Sequence, residues 1–312
     1  MRCLILGGSG FIGSSICDRF LQRGHQLRVF ERPRVEPYRN FSSSESVEWL
    51  TGDFSNAHDV RSALKGMDAV VHLIGTTLPK TSNDDPIYDV QSNLVATLQL
   101  LDAMQTEKVC KILFISSGGT VYGNPQSLPI SENHPTNPLT SYGITKLAIE
   151  KYLLLYQNLR GLRPIVLRVA NPYGERQRIE TAQGVVAAFL NRVMEGAPVE
   201  IWGSGDVTRD YLHVSDVAEA FALALEYDGP ESVFNIGSGN GVSLNDLVTT
   251  LGDLLGREIE VHYKPGRTFD VPINVLDISL ARQALGWNPV ISLSEGLNRT
   301  ISWIRLHSVE LK

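Results

Sequence analysis

The chain has 312 residues, 43% of them hydrophobic and 20% charged, enough to bury a substantial core and too apolar for extended disorder. A net charge of -6 and an isoelectric point near 5.7 exclude the concentrated basic face that a nucleic acid or an anionic membrane surface requires. No apolar run approaches the ~18 residues of a membrane span, and Cys3, Cys17 and Cys110 are an odd set without metal-ligand spacing, so a reducing cytoplasm and no metal site are expected.

Met1 leads directly into an apolar run, Cys3 to Leu6, so a signal peptide is not expected. The run breaks into GGSGFIG at 7–13, and Phe11-Ile12 open an amphipathic helix through Ile16 and Phe20-Leu21. The glycines parse as Gly8-x-Gly10-x-x-Gly13 or as Gly7-x-x-Gly10-x-x-Gly13. Either way, positions without a β-carbon let backbone amides approach a pyrophosphate at the positive end of a helix. A second strand, His25 to Phe30, is followed by Glu31, near the ~20-residue offset at which an acid meets the adenosine ribose. Strand, turn, helix, strand and acid in this order read as dinucleotide binding, although a bare glycine triplet would also suit an ordinary tight turn.

Arg32 beside Glu31 is ambiguous: an arginine favours a 2′-phosphate and NADP, whereas the glutamate repels one, and the balance favours NAD. A polar loop, 32–46, precedes a strand from Val47 to Leu50 and then Gly52-Asp53-Phe54, where a carboxylate and a ring are placed to face an adenine. Asp53 would equally support the start of a helix through Leu64, begun at Ser55 or Asn56. Ala69 to Gly75 is a near-continuous apolar strand in which His72 reads as a hydrogen-bonded core residue rather than a catalytic one. A polar loop, 76–85, leaves its carboxyl end, and a helix from Tyr88 to Thr106 presents Leu94, Leu98 and Leu101. Lys111 to Ser116 is another buried strand, followed by SSGGTVYG, and Tyr142-Gly-Ile-Thr-Lys146 opens a further helix.

Strands and helices alternate through residue 169, which predicts an α/β fold with a doubly wound, mainly parallel sheet of Rossmann type. Beyond it the expected elements are a strand at 164–169, a helix at 182–195, a strand at 199–202, a helix at 214–226, a strand at 233–236, a helix at 244–255, a strand at 258–263 and helices at 279–285 and 293–306. This half is too broken for a second dinucleotide fold and reads as a smaller, interleaved substrate-holding lobe. Tyr142 and Lys146, four apart at a helix start, share one face. A phenol is a poor base at its ordinary pKa of ~10, but a neighbouring ammonium and a cationic nicotinamide stabilise the phenolate. A plain contact between an aromatic ring and an aliphatic stem has the same spacing.

With these residues in view, the sequence resembles the extended short-chain dehydrogenase/reductases, and within them the NAD-dependent sugar-nucleotide epimerase/dehydratases typified by UDP-glucose 4-epimerase. The resemblance rests on GGSGFIG at 7–13, GDF at 52–54, VVHLIG at 70–75, Asn93, SSGGTVYG at 116–123, YGITK at 142–146, LRVANPYG at 167–174, GSGDVTRDYLHVSDVA at 203–218, FNIGSG at 234–239, RTFDV at 267–271 and LGWNP at 285–289. It implies an NAD-binding domain over 1–169, receiving parts of about 207–237 and 272–280, and a substrate lobe over 170–312. It further implies NAD as cofactor, with Gly7, Gly10, Phe11, Ile12, Glu31, Arg32, Asp53, Phe54, Leu73, Gly75, Asn93 and Ser116 in its shell. Tyr142 would be the general acid/base, and Lys146 would orient the nicotinamide ribose and lower the tyrosine pKa. Asn171, Arg209 and Arg267 match residues that hold a nucleotide diphosphate, which two guanidiniums on an acidic protein suit. Asp270 matches one that meets the uridine ribose, and Trp202 one that lines the base pocket, where a core tryptophan would look the same.

One departure stands out: the family usually places Ser or Thr at the position of Gly118, to meet the reacting sugar hydroxyl. Thr120 or Ser117 is the expected substitute. The implied reaction is redox-neutral C4 epimerisation of a UDP-sugar through a transient 4-keto intermediate. Gly119-Thr120 supplies no carboxylate for dehydration or decarboxylation. An NAD(P)-dependent sugar-nucleotide reductase or dehydratase of the same family, or a dinucleotide sensor that has lost catalysis, is the alternative, the last at odds with Tyr142 and Lys146. Asn274 falls where relatives carry either a bulky Tyr or a smaller residue that admits an N-acetyl group, which would make UDP-N-acetylglucosamine a substrate alone or beside UDP-glucose. The resemblance also implies a homodimer, in keeping with Leu94, Leu98, Leu101, Leu153, Leu154 and Leu155, more apolar surface than one buried stripe needs.

Overall fold

The computed structural model describes residues 1–79, 81–177, 184–266 and 271–307. Seven strands form a wholly parallel sheet: β1 (Arg2–Leu6), β2 (Gln26–Glu31), β3 (Val47–Thr51), β4 (Ala69–His72), β5 (Lys111–Ser117), β6 (Arg163–Val169) and β10 (Val233–Ile236). Their order is β10-β6-β5-β4-β1-β2-β3, so the winding reverses between β1 and β4, and a crevice opens at the carboxyl ends of those two strands.

Alternation along β1 explains why both sheet faces are covered. Cys3 and Ile5 join Ile16 and Phe20 of α1 (Phe11–Gln22) and Phe221 of α7 (Val214–Glu226) on one side. Leu4 and Leu6 join Val60 of α2 (Ala57–Leu64), Leu100 and Leu101 of α4 (Ala96–Glu107), and Ile149 and Leu153 of α5 (Ser141–Arg160) on the other. β10 follows α7 in the chain yet closes the edge beyond β6, so the second half completes the sheet of the first.

A third apolar cluster unites α6 (Val185–Met194), α8 (Leu244–Leu255) and α9 (Leu293–His307). Beside it, β9 (Thr208–His213) pairs with β7 (Asn171–Tyr173), β11 (Gly241–Ser243) and β13 (Ile273–Asn274), while β8 (Val199–Trp202) pairs with β12 (Val261–Lys264).

Several elements differ from the sequence expectation. β4 ends at His72, and Leu73 to Gly75 continue as loop toward the crevice. The helix expected from Tyr88 begins as α3 (Pro86–Asp89), widens into a π-helical stretch over Val90–Val95, and only then becomes α4. Residues 281–285, expected as α-helix, also form a π-helical turn. The strand expected at 258–263 is shifted to β12, and residues 182–183 of the helix expected at 182–195 lie outside the described residues. β7, β9, β11 and β13 escaped the pattern because they are short or, in β9, carry Asp210 and His213 inward among apolar neighbours.

The glycine turn between β1 and α1 is sterically dictated. Gly7 has φ +85°, and a Cβ at Gly13 would lie 2.1 Å from the Gly7 carbonyl oxygen and 2.8 Å from the Gly8 Cα. Gly13→Ala is therefore expected to destabilise the protein by on the order of 3 kcal/mol, read as a lower midpoint in urea unfolding.

Candidate active site

The glycine turn leaves Gly10 as the N-cap of α1 with no side-chain cap and no acid in the first turn, so the leading amides face outward unneutralised. A Cβ on Gly10 would meet only the Gly7 carbonyl oxygen, at 3.7 Å, and Gly75 borders open space. Phe11 and Ile12 are half-buried behind this opening. Glu31, at the end of β2, is buried, and its Oε1 accepts from the Ser9 amide (2.9 Å) and hydroxyl (2.6 Å). Among the described residues Oε2 carries no hydrogen bond, which leaves an oriented carboxylate oxygen beside the turn. This cradle and acceptor fit the diphosphate and ribose of a dinucleotide. Arg32 is exposed next to it.

Asp53 is exposed and accepts from the Ser55 amide at 2.8 Å, while Asn56 caps α2, so the turn-supporting role considered for Asp53 is present. Phe54 is buried against the His72 ring, with centroids 5.1 Å apart. Leu73 is half-buried on the way to Gly75. Asn93, in the π-helical stretch, ties down the loop that follows: its Oδ1 accepts from the Thr76 amide at 3.0 Å and its Nδ2 donates to Thr76 Oγ1 at 2.9 Å.

The first turn of α5 is fixed by an unusual number of side chains. Thr140 caps it, the Tyr142 amide donates to Ser82 Oγ (3.0 Å), and the Ser141 amide donates to Asn83 Oδ1 (2.9 Å). Lys146 follows one turn later with Nζ 5.7 Å from the Tyr142 ring centroid, 4.7 Å over the Phe114 ring, and donating to the Ile115 carbonyl at 3.0 Å. Burial lowers the Lys146 pKa to about 8 against the opposing pull of Asp89 and Glu150. Burial raises the Tyr142 phenol to about 12, with Asp89 adding to the rise. Both causes act against the phenolate, and a positive charge brought beside the ring would act the other way.

Beneath Lys146 lies a buried polar network that the sequence reading missed. Glu150 pairs with Arg168 at 2.6 Å and accepts from Ser116 Oγ, so that hydroxyl is held on α5. Arg168 donates to the Tyr122 hydroxyl at 2.8 Å, and Tyr122 donates to Asn235 Oδ1 at 2.6 Å. An acid midway along an amphipathic helix gives no sequence signal of such a role, because the same letter serves a solvated face.

Gly118 has a steric reason. A Cβ there would lie 2.5 Å from Leu276 Cδ1 and 3.1 Å from the Arg168 carbonyl oxygen, so Leu276 fills the space a side chain would need. Over the neighbouring Gly119 the space is open, flanked by Ser117 Oγ and Asn171 Oδ1 at 3.9 and 4.0 Å from the position of an added Cβ. Thr120 borders Gly143, next to Tyr142, and its hydroxyl is buried without a partner among the described residues.

Asn171 Nδ2 donates to the Asp210 carbonyl at 3.0 Å, and Arg209 Nη1 to the Thr208 carbonyl at 2.9 Å. Asn274 pairs in register with Arg209 and is almost fully buried. Its Nδ2 donates to the Gly118 carbonyl at 3.1 Å, which brings the two positions singled out in the sequence into contact. Trp202 is 42% exposed at the end of β8, so it is not a core residue. The chain returns beside it at Gly266, and Arg267 and Asp270 then lie outside the described residues. Among the described residues no cluster of His, Cys, Asp or Glu could hold a metal ion, and no helix is long and apolar enough to cross a membrane.

His72 is a core residue: buried, hydrogen-bonded to Thr97 Oγ1 at 2.9 Å, and flanked by Phe54 and Phe114. Burial, with the Lys146 charge, lowers its pKa from 6.5 to about 3. Between these values the unfolded chain takes up a proton that the folded chain refuses, so stability falls as pH drops through the window. In His72→Asn, urea unfolding measured across that window should show a shallower loss of stability on acidification.

A family model described as NAD dependent epimerase/dehydratase matches residues 3–237. A UDP-glucose 4-epimerase of Mycolicibacterium smegmatis is 36% identical, over 98% of this chain and 99% of its own. A dTDP-4-dehydro-6-deoxyglucose reductase of Escherichia coli is 35% identical over 97% of both. The crystal structure of the Thermotoga maritima UDP-glucose 4-epimerase with UDP-glucose superposes with a TM-score of 0.93 at 35% identity, covering 99% of this chain and all of that one. With a Rossmann-type sheet, a glycine cradle and the Tyr142–Lys146 pair in place, the chain belongs to the NAD dependent epimerase/dehydratase family.

Proposed function

We propose that the protein is an NAD-dependent enzyme that interconverts UDP-sugars at C4. The observation that carries this reading is Tyr142 and Lys146 on the first two turns of α5, whose start is tied to Ser82 and Asn83 in the segment that follows β4. In this reading residues 1–169, completed by β10, hold the cofactor, and residues 170–312 hold the nucleotide sugar. Gly7, Gly10 and the first amides of α1 would take the pyrophosphate, and Glu31 Oε2 the adenosine ribose. NAD, when bound, supplies a hydride acceptor and donor together with a positive charge beside the phenol.

Tyr142 then takes the proton of the sugar C4 hydroxyl and later returns it, so the sugar passes through a transient 4-keto form. Lys146, anchored on the Ile115 carbonyl, keeps an ammonium beneath the tyrosine ring and a donor toward the nicotinamide ribose. Ser117 is the hydroxyl we assign to assist at the sugar, because it opens on the space over Gly119 together with Asn171, whereas the Thr120 hydroxyl is buried. Arg209, with Arg267, would meet the diphosphate.

A homodimer is part of the proposal. Leu101 and Leu153 are buried in the core, but Ile144, Tyr152, Leu155 and Leu159 recur at helical spacing on α5 and are exposed, as is Val95 ahead of α4. Such an apolar stripe suits helix packing against a second copy. The cytoplasmic location we propose rests on three free thiols, two of them buried. A second reading, reduction of a 4-keto sugar nucleotide, is favoured by the identity to the E. coli reductase and by the exposed Arg32 beside Glu31.

Incubation with UDP-glucose, followed by proton NMR of the sugar C4 stereochemistry, decides between them. Equilibration of the two C4 epimers without added reductant is expected, and Tyr142→Phe should slow it by roughly 10²- to 10⁴-fold while NAD stays bound. Consumption of NADPH with a 4-keto substrate and no equilibration would establish the reductase. For substrate size, Asn274→Tyr is expected to cut turnover of UDP-N-acetylglucosamine at least ~10-fold relative to UDP-glucose, measured with the same NMR assay.

A further inference from the structure

Asp89, the last residue of α3, is fully buried and has no part in the proposed chemistry so far. Its two oxygens accept four hydrogen bonds from three places in the chain. Oδ1 accepts from Thr77 Oγ1, in the loop that leaves β4, and from Asn93 Nδ2 at 3.0 Å. Oδ2 accepts from Ser141 Oγ at 2.7 Å and Thr145 Oγ1 at 2.8 Å, which flank Tyr142 on α5. All four donors are neutral, and among the described residues Asp89 makes no ion pair within 4.0 Å. Two of these donors sit on the first turns of the twenty-residue α5, so the carboxylate lies at the positive end of that helix. The buried carboxylate is thus held by neutral donors rather than by an ion pair, and Lys146 is a cation that feels its charge.

We propose that Asp89 is a positioning residue with two effects: it locks the turn carrying Tyr142 to the loop and asparagine beside the cofactor, and its fixed charge opposes ionisation of Tyr142 until the oxidised cofactor supplies a cation. The proposal rests on the catalytic reading of Tyr142. The surrounding charges agree with it. On α5 the groups facing this region are Lys146 and Glu150; Glu150 is committed to Arg168 of β6, and His72 of β4 stays neutral above about pH 3. Asp85 caps α3 through the Tyr88 amide. Asp89 is the charged group that pushes the Tyr142 phenol up beyond the effect of burial, and it holds Lys146 closer to its ammonium form. The consequence is a base that forms only in the loaded enzyme, which limits stray proton abstraction in the free protein.

The test uses the NAD-loaded protein and the tyrosinate absorbance of Tyr142, obtained as the difference from Tyr142→Phe. Asp89→Asn keeps the shape and removes the charge, so the Tyr142 titration should move to lower pH by on the order of one unit, and the acid limb of kcat should move with it. A merely structural role would lower stability and leave the titration in place. Asp89→Glu keeps the charge and displaces it by one methylene; the titration should stay put while kcat falls roughly tenfold with KM retained. An unmoved titration in Asp89→Asn overturns the proposal, and so does an unchanged kcat in Asp89→Glu, which decides the matter if the Asn variant fails to fold. The titration needs no turnover. A shifted titration in a protein that converts no UDP-sugar would uphold Asp89 and overturn the epimerase reading; C4 conversion with an unmoved titration would do the reverse.

Discussion

The buried pair between Glu150 and Arg168 is the interaction on which the site depends. It joins α5, which carries Tyr142 and Lys146, to β6, the strand next to the β10 edge of the sheet, and it draws in Ser116 from β5. Two charges removed from water are a net cost unless their geometry and remaining hydrogen bonds are satisfied. Here they are: Arg168 also donates to Tyr122 and to the Glu132 carbonyl, and Tyr122 passes a hydrogen bond to Asn235 on β10. An apolar replacement would hold the helix to the sheet but would not fix its rotation or its slide along its axis. A directional network does both, and that precision is what a phenol and an ammonium one turn apart require.

Much of this architecture was legible in the sequence because it obeys local rules. The glycine turn is dictated by close backbone approach at Gly13, the central strands by near-continuous apolar runs, and the Tyr142–Lys146 face by helical spacing. What stayed hidden follows from long-range satisfaction of polar groups. β9 reads as loop because Asp210 is buried within it, where its carboxylate gathers the Ser238, Gly239 and Leu276 amides. Asp89 and Glu150 are letters that ordinarily mean a helix cap or a solvated face. Only the fold shows that donors from three separate segments converge on the first, and a guanidinium from β6 on the second. The π-helical widening at Val90–Val95, which turns Asn93 toward the loop after β4, has no signature in composition at all.

The departure at Gly118 has the same character. In sequence it looks like the loss of a reacting-hydroxyl contact; in the structure it is the packing partner of Leu276 and, through its carbonyl, of Asn274. Position 118 has thus become part of the wall that joins the sheet to the β9–β13 pair. The hydroxyl that flanks the space over Gly119 belongs to Ser117, one residue back along the chain. The contact with Leu276 joins positions far apart in the chain, so the steric reason for a glycine at 118 could not be read from the motif alone.

The parallel pairing of β10 with β6 carries a consequence for how the protein comes into being. Until residues 233–236 have been synthesised and α7 has folded back across the sheet, β6 presents an unpaired row of amides and carbonyls. Six strands of the central sheet are complete some sixty residues earlier in the chain, so a nascent polypeptide on the ribosome passes through an interval with a sticky, uncapped border. The segment that finishes the catalytic scaffold is also the one that protects it from other chains during synthesis.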